Sequence, residues 1–245
     1  MKRILYTIGL LWACAMTQAQ TLLPPVWQGS ADVQYSSRTI AYLPPTRIVW
    51  QETTGSSSIE GIDKLLLSGN GQAELVGGKE CVIRKRPDGK VSVLLDFGRE
   101  LQGGIQIVTG QSSRKEAKVR IRFGESVSEA MCDITPENGA TNDHAIRDFH
   151  FTLPWLGVAE IGNSGFRFVR IDVEEPDIDL LLKEVRATFG YRDIPYLGSF
   201  KSDNDRLNDI WMTGAYTVHL NMQEYIWDGV KRDRLVWIGD LHPEL

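Results

Sequence analysis

Fourteen residues, WDGVKRDRLVWIGD from Trp227 to Asp240, hold three aspartates, one lysine, two arginines and two tryptophans. An indole stacks on the apolar C–H face of a sugar ring, while carboxylate and guanidinium groups take its hydroxyls in charge-assisted hydrogen bonds. Carboxylates also carry out glycoside hydrolysis, one as acid and one as base or nucleophile. Continued as a helix from Asp233, the segment places Asp233, Trp237 and Asp240 at i, i+4 and i+7, two acids flanking an indole on one face. The same composition fits a capped helix start with ion pairs of its own, Asp228 to Arg232 and Asp233 to Lys231 or Arg234.

The elements that must hold this segment come before it. Between Val91 and Phe189 apolar residues recur with period two in short runs broken by glycine, the pattern of strands. Val91, Val93 and Leu95 alternate, as do Ala117, Val119, Ile121 and Phe123. The latter put Lys118, Arg120 and Arg122 on the opposite face, expected to be solvated. Further strands are expected at Gly104–Val108, Asp148–Leu153, Phe166–Val173 and Glu184–Phe189. Earlier ones fall at Thr39–Tyr42, Arg47–Gln51, Lys64–Ser68 and Cys81–Arg84. Pro87-Asp88-Gly89 and Asn70-Gly71 are hairpin signals. With no long helical pattern between them, these strands predict an all-β, jelly-roll-like antiparallel β-sandwich. The tryptophans Trp50 and Trp155 are expected at its core or edge rather than as sugar platforms.

Beyond Leu197 the period changes. Leu207, Ile210, Trp211, Gly214, Ala215, Val218 and Met222 form one stripe of an α-helix, with Ser202 or Asp203 as N-cap. One helix cannot bury such a stripe by itself. Either it packs on the sandwich or a longer helical domain follows, and the second is expected here.

The chain of 245 residues is 42% hydrophobic with a formal charge of −5. Residues 1–19 read as a signal peptide: Lys2 and Arg3, an apolar run, and Thr17-Gln18-Ala19 as a cleavage site. Removal of the two cations leaves 25 basic against 32 acidic residues, −7, which argues against nucleic acid or an anionic membrane as partner. Export is therefore expected, to periplasm or medium; a lipoprotein anchored through Cys14 is a variant that Trp12 fits poorly. No later segment is apolar for long enough to span a membrane. Cys81 and Cys132 could pair after export or remain buried thiols. His144, His150, His219 and His242 are scattered, so no metal site and no cofactor are expected.

The segment from Asp228 resembles the signature Asp-Cys-Pro-x-Arg-Glu-x-Leu-x-Trp-x-Gly-Asp of the bacterial α-L-rhamnosidases, glycoside hydrolase family 78. Asp228, Arg232, Leu235, Trp237, Gly239 and Asp240 match without a gap. LDFGRELQGGIQI (Leu95–Ile107), VRIRFGES (Val119–Ser126) and GFRFVRI (Gly165–Ile171) are similar to sandwich segments of that family. Ser199–Gln223 is similar to the opening of its (α/α)6 barrel.

The resemblance implies an inverting glycosidase with Asp233 at the position of the general acid, usually Glu. Asp228 and Asp240 then stand at the carboxylates that hold rhamnose hydroxyls, beside Arg232 and Trp237. Such an acid must stay protonated at neutral pH, which calls for a pKa raised by burial and nearby negative charge. Gly229 and Val230 replace Cys-Pro, and Asp233 is one methylene shorter than Glu.

An inverting enzyme also needs a second carboxylate about 6.5–9.5 Å away, which in this family comes from a later barrel helix. The expected organisation is a signal peptide (1–19), a sandwich (20–197) and the first helices of a truncated barrel (198–245), inactive alone. Its substrate would be a rhamnose-containing oligosaccharide or glycoside. The alternatives are a non-catalytic carbohydrate-binding sandwich and a different helical-barrel glycosidase.

Overall fold

The computed structural model describes residues 38–75, 77–78, 80–113, 115–135 and 147–240. The expected signal peptide, Cys14, His144 and His242 lie outside these. Among the described residues nine strands form in chain order: β1 (Arg38–Leu43), β2 (Arg47–Thr53), β3 (Ser58–Glu60), β4 (Cys81–Lys85), β5 (Val91–Thr109), β6 (Ala117–Gly124), β7 (Asp148–Leu153), β8 (Gly157–Val173) and β9 (Ile178–Arg192). Two helices accompany them, α1 (Val127–Met131) and α2 (Asp205–Asn221). All pairings are antiparallel, in the order β3-β4-β9-β5-β8-β6-β7, with β1 also on β9 and β2 on β5.

This is the expected β-sandwich, built from longer strands. The runs at Val91 and Gly104 are one strand, β5, whose first half pairs with β2 and whose second half pairs with β9. Strand β8 follows it along both halves. The sheet thus folds over on two shared strands. Between the layers, Val93, Leu95, Ile105 and Ile107 of β5 meet Val119, Ile121, Ile171, Leu180 and Val185, all fully or almost fully buried.

The fold-over is made by a bulge. Asp96 of β5 faces Phe168, and the next paired residue, Leu101, faces Phe166, so Phe97–Glu100 stand opposite Arg167 alone. Gly98 takes φ 86°, a left-handed conformation that other residues adopt only with strain. Phe97 turns into the core edge-on to Phe166, with ring centroids 5.5 Å apart. Asp96, 2% exposed, anchors the bulge. Its carboxylate accepts from Arg167 Nε (2.8 Å) and Nη2 (3.0 Å), from Arg47 (2.8 Å) and from the Gly98 amide (2.7 Å).

Several expectations are corrected. Lys64–Ser68 is not a strand: a 3-10 turn at Ile62–Leu66 follows Gly61 at φ 65°, and Leu65 alone of the turn is buried. Pro87-Asp88-Gly89 closes a turn, Gly89 N–H donating to Arg86 O, but β4 and β5 do not pair, so it crosses between strands rather than forming a hairpin. Asn70-Gly71 likewise lies in a connection, its Gly71 amide held by Glu184 Oε1 at 3.0 Å.

The row Lys118, Arg120, Arg122 is solvated only at its first member. Arg122 is 3% exposed and bound to Asp172 (2.7 Å) and Asp133 (3.0 Å), while Arg120 makes a two-pronged contact with Asp148. Helix α1 was not foreseen, although Ser126 and Glu129 have the spacing of a capping box: Ser126 Oγ accepts from Glu129 N–H, while Glu129 Oε2 accepts from the N–H of Glu125, one residue before the cap. Trp50 is half-buried against Leu94, Phe168 and Ala130, and Trp155 is 39% exposed.

Cys81 and Cys132 are both free thiols. Burial pushes the Cys81 thiol up to about 12, which leaves it unreactive as a nucleophile.

Asp96 supplies a stability test. Its hydrogen bonds from Arg167, ahead of those from Gly98 and Arg47, hold the carboxyl at about 2, below its ordinary 3.8. A depressed acid contributes stability that is complete above the unfolded-state value and is lost as pH falls towards the folded one. Asp96→Asn is expected to cost about 2 kcal/mol in urea unfolding at pH 7. The gap to wild type should close between about pH 4 and pH 2.

Candidate functional site

Helix α2 carries the chain from the sandwich to the aspartate-rich segment. Its N-cap is Asn204, whose Oδ1 accepts from Arg206 N–H at 3.0 Å, rather than Ser202 or Asp203. Ser202 instead exchanges backbone hydrogen bonds with the Asn208 side chain.

The C-terminal end of α2 is pinned to β9. His219 Nε2 lies 2.6 Å from Arg192 O, and buried Gln223 donates to Gly190 O at 3.1 Å. Because Nε2 faces a carbonyl, it carries the proton, and Nδ1 accepts from Tyr196 O–H at 3.0 Å. Docking runs through Tyr216 and Leu220, and Tyr216 O–H donates to Glu100 O. The expected stripe is therefore not the sandwich-facing one: Leu207 and Ile210 stay 45% and 58% exposed, and Trp211 stacks on Phe200.

The segment then folds back on itself as an irregular loop. Trp227 N–H donates to Asn221 O at 3.0 Å, and the Trp227 ring is buried under the Arg234 guanidinium, 5.3 Å from the ring centre. Val230 enters the main core against Gly165. Asp228 closes the loop from both sides: its N–H donates to Leu235 O (2.9 Å), and its Oδ1 accepts from Leu235 N–H (2.8 Å).

The helix expected from Asp233 does not form there. Asp233 and Arg234 have φ 64° and 55°, and helical backbone begins only at Ile238. Arg234 is occupied as a strut, with Nε donating to Val230 O at 3.0 Å and Nη2 to Asn163 O. That pull on Arg234, together with the Asp228–Leu235 closure, favours the left-handed pair over a helical turn. Acid, indole and acid are consequently not on one helical face.

An ion pair that was not among those expected, Arg232–Asp233, forms loosely within the segment, at 3.7 Å. Lys231 leaves the segment for Glu125 and Glu129. Asp228 is half-buried, while Arg232, Asp233, Trp237 and Asp240 lie on the surface. Trp237 is 53% exposed, and its carbonyl accepts from Asp240 N–H at 3.1 Å. The five residues singled out by sequence thus share one segment, with Asp228 bound to the loop backbone and Trp237 exposed.

A residue that the sequence did not single out lies beneath them. Glu100, in the β5 bulge, lines a cavity of about 720 Å³ together with Arg99, Arg167, Thr213, Thr217 and Asp228. Burial, reinforced by Glu125, pushes its carboxyl up to about 8, so it is a neutral acid at pH 7. The signal available in the sequence was an acid inside a glycine-rich stretch, FGRELQGG, between two apolar half-strands.

No protein-family model and no curated protein matches the sequence. Among solved structures, a rhamnosidase from Klebsiella oxytoca with rhamnose bound aligns with 84% of this chain and 40% of its own, at 20% identity and a TM-score of 0.59. A GH78 family rhamnosidase of Bacillus sp. GL1 aligns with 74% of this chain and 17% of its own, at 20% identity and a TM-score of 0.57. The chain thus spans less than half the length of either, and at this identity the likeness is one of fold.

The docking of the segment is open to test. A Cβ on Gly165 would meet Val230 Cγ2 at 2.6 Å and Glu100 Oε1 at 3.0 Å. Gly165→Ala is expected to lift Val230 out of the core and lose about 1.5–3 kcal/mol of burial. Tryptic cleavage after Lys231 and Arg232 should speed up several-fold, with β-sheet circular dichroism retained.

Proposed function

We propose that this chain is the N-terminal part of an inverting α-L-rhamnosidase that removes terminal α-L-rhamnosyl residues from glycans or glycosides. The observation that carries the reading is the position of the Asp228–Asp240 segment. It stands on the surface of a sandwich that has the fold of the corresponding part of two rhamnosidases. Residues 198–245 are then the opening of the helical catalytic domain. The exposed Leu207 and Ile210 on α2 form the face on which its later helices would pack.

In this reading Trp237 is the platform for the sugar's apolar face, and Asp240 and Arg232 take hydroxyls. Asp228 has one carboxylate oxygen engaged by Leu235 N–H, so its other oxygen serves the substrate. Asp233 protonates the glycosidic oxygen. Closure of the helical domain over the loop would shield it from solvent and separate it from Arg232, the change that a general acid requires. The water-activating carboxylate would come from that domain. No cofactor is involved. The proposed setting is outside the cytoplasm, a reading that rests on residues 1–19 of the sequence.

The longer protein containing this chain is expected to hydrolyse an aryl α-L-rhamnoside with inversion, followed by chiral resolution or NMR of the released sugar. Asp233→Asn should lower kcat by about 10²–10⁴. This chain alone should give no turnover. Unchanged activity in the variant would remove Asp233 from the acid role, and preference for another glycoside would overturn the sugar assignment.

A further inference from the structure

The cavity under the loop has features that the reading above does not use. Its walls come from the β5 bulge with Gly98, Arg99 and Glu100, Glu125 after β6, Arg167 of β8, α2 with Thr213 and Thr217, and the loop at Asp228, Gly229 and Val230. Apolar contact is supplied by Met212, Leu220 and Val230. At about 720 Å³ it falls in the size range of small-molecule sites. Glu100 Oε1 is buried there with no hydrogen-bond partner among the described residues. A buried polar atom without a partner carries a cost that a ligand can relieve.

The geometry points to this cavity as a binding site for a neutral polyhydroxylated ligand of monosaccharide size, with Glu100 donating a hydrogen bond to a ligand hydroxyl. The ligand class follows from the lining. Two guanidinium groups, Arg99 and Arg167, repel a metal cation, while the carboxylates of Glu125 and Asp228 repel an anion. What remains is a mixture of donors, acceptors, two threonine hydroxyls and an apolar floor, which suits the alternating C–H and O–H surface of a sugar. The site deepens the carbohydrate reading but does not depend on Asp233 or on hydrolysis.

Glu100 is the discriminating group because only its neutral form donates. The charged groups that set its state come from each neighbouring element: Glu125 and Glu129 from the turn and helix after β6, Lys231 from the loop, and Arg167 from β8. Desolvation is the largest influence and favours the neutral form, Glu125 and Glu129 add to it, and Lys231 and Arg167 oppose it. The proton is retained up to about pH 8. Above that, binding a ligand to the protonated form requires proton uptake, so affinity falls about tenfold per pH unit.

The test is calorimetric titration of this chain with L-rhamnose, D-galactose and D-glucose at pH 6.5 and at pH 9, with phosphate and calcium as controls. At least one sugar is expected to bind at pH 6.5, with affinity about tenfold weaker at pH 9. Glu100→Gln, which keeps a donor that does not titrate, should bind at pH 6.5 within a few-fold of wild type and lose the pH dependence. Glu100→Leu should lose binding at least tenfold, with its fold checked by circular dichroism. Absence of sugar binding by folded wild type, binding only of phosphate or calcium, or an unchanged pH profile in Glu100→Gln would overturn the proposal. Sugar binding retained in Asp233→Asn, alongside lost rhamnoside turnover in the longer protein, would separate this cavity from the hydrolytic site.

Discussion

The two-pronged contact between Arg167 and the buried Asp96 carboxylate decides where β5 can bend. A strand of nineteen residues shared by both layers must turn without losing its ladder to β8. It does so by ejecting Phe97–Glu100 opposite a single residue. That residue is Arg167, whose side chain reaches back to Asp96 at the start of the bulge. Phe97 is thereby driven into the core, and Glu100 is left beneath the loop that carries the aspartates. The two stretches that resemble a known family, around Asp96 and around Arg167, are the two sides of this one interaction.

From the bulge the architecture extends outward. Tyr216 of α2 donates to the Glu100 carbonyl, so the helix is attached to the bend itself. The loop after α2 is held at three points: Val230 in the core, Lys231 on Glu125 and Glu129, and Arg234 spanning Trp227, Val230 and Asn163. Its charges are therefore largely structural on the inner side. Trp237 and Asp240 are presented outward, and the outer end of α2 keeps an apolar face.

The strands were legible because period-two burial is a local signal, and the residues named for most of them fall inside the observed elements. Lengths were not legible. Gly98 and Gly103 read as breaks between two strands, whereas one strand bends at the first and packs its backbone tightly on β9 at the second, where a Cβ would lie 2.0 Å from Thr188 O. The helix predicted from Asp233 failed for a non-local reason. Arg234 is drawn to Asn163, and Asp228 closes on Leu235, contacts that no helical spacing encodes. The burial of Arg122 likewise depends on Asp172, fifty residues away, and on Asp133 in the stretch after α1. Composition marked the aspartate-rich loop as a candidate site, but Glu100 became visible only once the bulge and the loop were brought together.

The central claim is that bending β5 places a half-buried, neutral carboxylic acid under the aspartate-rich loop. Carboxyl-selective carbon NMR of the chain, following Glu100 by its loss in Glu100→Gln, measures this directly. The account predicts a midpoint near 8 for that resonance. A midpoint near 4.5, the ordinary value, would contradict it and show the bulge open to solvent.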